Sequence, residues 1–102
     1  MVEYVQNGEV VTITATSAVK AGDVVALGAR VVVAAQDIAK GEEGSAHTNG
    51  VFRFPVAEAI EQGVAVYWTG SAITKTATGN TAAGWAFTAS TTDSDYIDVK
   101  IG

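Results

Sequence analysis

Cysteine is absent from the 102 residues, and histidine and proline each occur once. Without thiols there are no disulfides, no thiolate nucleophile and no Cys-based zinc site, so the chain must hold its fold by packing alone. Charge is scarce as well: 17% of residues are charged, and the six basic side chains are scattered along a chain of net charge -5. Phosphate backbones are gripped by clustered Lys and Arg, so no nucleic acid partner is expected. Nowhere do eighteen apolar residues follow one another, and the opening Met-Val-Glu-Tyr-Val-Gln carries an acid at its third position. The chain therefore reads as having neither a membrane span nor a signal peptide, and no membrane partner is expected. No lysine stands between glycine and Ser or Thr, which removes the phosphate loop, and Gly-x-Ser-x-Gly and His-Glu-x-x-His are missing too.

What is present is apolar and β-branched. Hydrophobic residues make up 48% of the chain, ample for one domain spanning residues 1–102 around one core, with residues 1–8 as a candidate N-terminal arm. Val11-Thr-Ile-Thr-Ala-Thr16 alternates with a period of two, sending Val11, Ile13 and Ala15 to one face and three threonines to the other. Tyr96-Ile-Asp-Val-Lys-Ile101 repeats the pattern with Ile97, Val99 and Ile101 inward. Between them lie further short runs at 23–27, 30–35, 51–56, 64–68, 72–76 and 85–89, most of them fenced by glycine. Short strands at such spacing predict an all-β fold, a single compact barrel or sandwich of antiparallel strands. Val56-Ala-Glu-Ala-Ile-Glu-Gln62, ending at Gly63, predicts one short helical connector. The sole proline, Pro55, suits a strand edge or end. Ala21-Gly-Asp-Val-Val-Ala-Leu27 overlays Gln62-Gly-Val-Ala-Val-Tyr-Trp68, a similarity that the shared grammar of hairpins accounts for.

Candidate chemistry is thin. His47 lies in the polar stretch 44–50, and Ser45 and Glu43 beside it lack the separated arrangement of a triad, so it reads as an ordinary surface histidine. Asp93, Asp95 and Asp98 resemble the start of a calcium loop, but the glycine and glutamate that complete one are missing; an acidic turn is the simpler reading, and no metal or cofactor is expected. Phe52 and Phe54 share one strand face, and Trp85 and Phe87 another, each pair suited to a core layer. Tyr67 and Trp68 are adjacent in one strand and must point to opposite faces, so one of them is a candidate for a subunit interface.

The order of segments is what carries a resemblance. Tyr4-Val-Gln-x-Gly8 leads an alternating strand, followed by Ala21-Gly-Asp-Val-Val25, Ala39-Lys-Gly-Glu-Glu-Gly44, Gly50-Val-Phe-Arg-Phe-Pro55, Gly63-x-Ala-Val-Tyr-Trp68 and Thr76-Ala-Thr-Gly-Asn80. Over nearly its whole length the chain resembles the small capsid cement, or head decoration, proteins of tailed phages and prophages. The resemblance implies a non-enzymatic β-domain, made in the host cytoplasm, that binds the major capsid protein on the outer surface of the virion head. It further implies homotrimers at three-fold sites that stiffen the shell against packaged DNA. Val2, Glu3, Tyr4, Val5 and Gln6 are then the expected capsid-contacting arm, since a terminal strand can add to another chain's sheet edge. A carbohydrate- or ligand-binding β-module and a small hydrolase using His47 are the alternatives from other classes.

Overall fold

Runs of β-branched residues interrupted by glycine leave little choice but short strands. The computed structural model describes residues 9–102 and contains β1 (Val10–Thr14), β2 (Val24–Leu27), β3 (Arg30–Ala34), β4 (Glu43–His47), β5 (Gly50–Pro55), β6 (Ala65–Trp68), β7 (Ile73–Thr74), β8 (Thr81–Ala86) and β9 (Tyr96–Ile101). The all-β expectation holds. The pairing branches at β3, which meets β2, β4 and β8, and at β8, which meets β3, β6 and β9; among the described strands it closes no ring. Strand pairs are antiparallel except where β3 touches β8 through Arg30 and Ala82.

That contact joins two halves wired alike. In the first, β1 pairs with β4, β4 with β3, and β3 with β2. In the second, β5 pairs with β9, β9 with β8, and β8 with β6. The backbone bonds between strands also repeat. Val19 and Ile38 exchange hydrogen bonds of 2.9 Å each, and Ile60 and Ser90 do the same at 3.2 and 2.8 Å. Gly22 N–H donates to Ala34 O as Gly63 N–H donates to Ala86 O, each at 2.8 Å. Each of the four bridge residues leads directly into a turn, at 20–23, 39–42, 61–64 and 91–94. In three of these turns the third residue is Gly22, Gly41 or Gly63 with φ between 83 and 91°, the left-handed position that a type II turn reserves for glycine. The overlay of 21–27 on 62–68 is therefore more than hairpin grammar: it marks equivalent places in a repeated architecture.

Packing follows the strand faces. Val31, Val33, Phe54, Val56, Ile60, Val66, Ile73, Ile97, Val99 and Ile101 belong to a large cluster, whereas Ile13, Ala15, Val32, Ile38 and Ala46 form a separate small one. The expectation of one core is thus corrected. In β3 all of Val31 to Ala34 is buried, and successive side chains point to opposite faces, so this strand serves both clusters.

Three further expectations are overturned. No helix forms over 56–62, nor anywhere among the described residues. Val56 N–H donates to Asp95 O, and Ile60 N–H to both Ser90 O and Ser90 Oγ, which pins the segment in extended form with Val56 and Ile60 buried; under two turns of helix could not have replaced those bonds. The polar stretch 44–50, for which no strand was expected, contributes residues 44–47 to β4 because Gly44 and Ala46 face the small cluster and the polar side chains alternate with them. The strand expected at 85–89 lies at 81–86, which turns Trp85 and Phe87 away from the core to exposures of 39% and 43%.

Candidate docking surface

The two halves differ in what they turn outward, and the difference starts in β8. Pairing with β6 runs Ala65 to Trp85 and Val66 to Gly84, then slips so that Tyr67 faces Ala82. The extra residue makes a bulge at Ala83–Gly84. Gly84 has φ 149°, and a Cβ there would fall on the Lys100 carbonyl oxygen of β9, so only glycine lets the strands approach. Beyond the bulge, Ala86 returns to the core and Trp85 faces out.

Opposite Trp85 on β9 is Lys100; Tyr96 and Asp98 follow on that face, and across β5 lie Val51, Arg53 and Pro55. The outward side of β5, β9, β8 and β6 thus carries the exposed side chains Val51, Trp85, Phe87 and Tyr96, the last at 61% exposure. The rings of Trp85 and Phe87 lie 5.7 Å apart at 40°. In the middle, Arg53 Nε donates to Asp98 Oδ1 at 3.0 Å. The hydrogen bond and the charge of Asp98 raise the Arg53 pKa above its ordinary value. With Arg53 at 70% side-chain exposure, this pair orients the face more than it stabilises the fold. Pro55 occupies the end of β5, as its sequence suggested: Val56 N–H bonds to Asp95 O just before β9, so by alternation the backbone of 51, 53 and 55 turns away from β9 and the missing N–H of Pro55 breaks no bond to it.

The sequence candidates fall as follows. Val2 to Gln6 lie outside the described residues. Trp68 packs on the large cluster, edge-on to Phe54 at 5.8 Å and 65°. By alternation Tyr67 belongs to the outward face, beside the row that holds Trp85. His47 is half-buried in β4 with its ring 5.6 Å from that of Phe52, a packing contact rather than a base set beside a nucleophile. The acidic turn does not converge on a cation: Asp98 is paired with Arg53, and Asp93 N–H donates to Thr91 Oγ1 within the turn. Among the described residues no group of three or more His, Asp or Glu could share a metal ion. Sequence reasoning missed the Trp85/Phe87 face; the signal for it was the alternation of Asp98 and Lys100 on the neighbouring strand, which marks that side as outward.

The outward face thus gathers aromatic and apolar groups around one ion pair, and among the described residues no set of catalytic groups converges on it. Comparison with known families places the chain. The family model of phage cement proteins matches residues 5–101. The chain belongs to the phage cement protein family. No curated protein and no solved structure matches it. Membership supports a capsid decoration role, a structural rather than enzymatic protein, and a place on the virion capsid.

Proposed function

We propose that this cement-family chain binds the outer surface of an assembled phage head as homotrimers at three-fold sites, contacts the major capsid protein, and stabilises the shell against the pressure of packaged DNA. The observation that carries the reading is the family match over residues 5–101. The architecture supports it: a slab of 38 × 37 × 22 Å, built from short strands and tight turns, loses little ordering entropy when it lies on a lattice. Three linked contacts raise avidity by about a hundredfold or more over one when geometry lets all engage. Bound only to the assembled shell, the protein stabilises that shell by mass action. Val2, Glu3, Tyr4, Val5 and Gln6 serve as the capsid-contacting arm in this reading, and Tyr67, the outward member of the Tyr67/Trp68 pair, borders the subunit interface.

Sedimentation with empty expanded heads of the phage that encodes the chain tests the function. Stoichiometric pelleting that saturates near the number of three-fold-related sites is the expected result, and a chain left wholly in the supernatant contradicts it. A variant lacking residues 2–6 is expected to decorate poorly; full occupancy would remove the arm.

A further inference from the structure

The repeated wiring makes an uneven surface informative. In the first half, Val24 and Val33 stand opposite each other on one face of the β2–β3 hairpin, and that face is covered: Val33 is 4% exposed, and both pack into the large cluster with Phe52 and Phe54 of β5. The equivalent pair in the second half is Ala65 and Trp85, and among the described residues nothing covers it. The same face of the same unit is an interface in one half and open in the other.

The converse holds on the other side. In the second half, the space between β5 and β6 is filled by β7, whose Ile73 is 2% exposed and bridges to Val56. In the first half, Gly28-Ala29 joins β2 directly to β3, and no counterpart of β7 exists among the described residues. A cleft of about 420 Å³ remains beside β1 and β2, lined by Ile13, Ala15, Val19, Val25 and Leu27 among others.

We infer that these two surfaces fit each other between copies: the Trp85/Phe87/Tyr96 face of one protomer docks on the β1–β2 cleft of the next. The occupant is a second copy of this chain, because the face is the repeat's counterpart of one that the chain already covers with its own β5, and β1 holds the place of β5 in the first half. The contact is head-to-tail, so it closes into a ring when the rotation allows. Four strands about 4.8 Å apart and about 20 Å long give a footprint of some 300–400 Å². That is well short of the roughly 800 Å² per partner of a stable pair, so the contact forms on a lattice or in concentrated protein rather than in dilute solution. The inference rests on the reading that copies meet on the head, and names the surfaces by which they do.

The chain has no cysteine, so single thiols report cleanly. Ala65→Cys marks the open face and Leu27→Cys, at 43% exposure, the mouth of the cleft. The two variants, mixed on heads or concentrated, are treated with a short bis-maleimide. Cross-linked dimer in the mixture, and its loss in either variant alone, supports the inference. Dimer from Ala65→Cys alone, which signals a face-to-face contact, overturns it, as does no cross-link on fully decorated heads. Should the wild-type chain bind no heads, the cement reading fails, while mixed cross-linking in concentrated protein still upholds the head-to-tail contact. As an independent readout, Trp85→Ala with Phe87→Ala is expected to weaken head binding by about a hundredfold, since one lost contact forfeits the avidity; unchanged binding overturns the inference.

Discussion

The first and second halves share strand order, bridge bonds and turn positions, yet they bury different amounts of chain. The second holds Phe54, Ile60, Val66, Ile73, Ile97, Val99 and Ile101 in one cluster, into which the first lends Val31 and Val33. The first keeps only Ile13, Ala15, Val32, Ile38 and Ala46 for itself. Two local changes account for much of this: an insertion over 69–80 that supplies Ile73, and a bulge at Gly84 that lets β8 close on β9 while turning Trp85 out. The lesson is that hydrogen-bond wiring is conserved between the halves while side-chain size decides which one carries the stability and which face is left for partners.

The sharpest way to break that comparison is at the bulge. Gly84→Val is expected to abolish folding, since both the left-handed backbone and the overlap with Lys100 oppose any side chain, whereas Val32 occupies the equivalent place in β3 without penalty. A cooperative thermal transition near that of the wild-type chain would contradict this. Next come the paired core positions: Phe54→Ala is expected to lower stability by about 3–5 kcal/mol in denaturant titration, and its counterpart Ile13→Ala by about 2–3, at the low end for an Ile-sized truncation because it lines the open cleft. Equal losses would mean the two clusters carry equal weight. Ser90 stands where the first half has Ile38; its hydroxyl accepts from Ile60 N–H at 3.1 Å and donates to Glu58 O at 2.8 Å. Ser90→Ala is expected to cost about 1–2 kcal/mol, because the Glu58 carbonyl loses a buried donor. The smallest effect on stability is expected from Arg53→Ala, which removes an exposed ion pair: its unfolding midpoint should match that of the wild-type chain.

Much of this architecture could be read from the chain. Alternation in 11–16 and 96–101 placed Val11, Ile13, Ala15, Ile97, Val99 and Ile101 on the inward faces; Val11 is half-buried and the other five are buried. Pro55 at the end of β5 followed from its missing N–H. The similarity of 21–27 and 62–68 is visible in the sequence but reads there as shared hairpin grammar, because equivalence in this fold is written in backbone bonds, such as Val19 to Ile38 and Ile60 to Ser90, that no side-chain pattern displays. The segment 56–62 misled for a related reason: helix propensity over seven residues is weak beside three long-range backbone bonds to Ser90 and Asp95 and two more to the Ser90 hydroxyl. The outward face was missed because a one-residue bulge reverses which side chains of a strand point in, and Gly84 announces it only once its neighbour strand is known.

A reconstruction of fully decorated heads tests the central claim most directly. It should show copies on the outer surface with the Trp85/Phe87/Tyr96 face of each against the β1–β2 cleft of its neighbour. Copies whose aromatic face points into solvent, or lies flat on the capsid shell, would contradict the account.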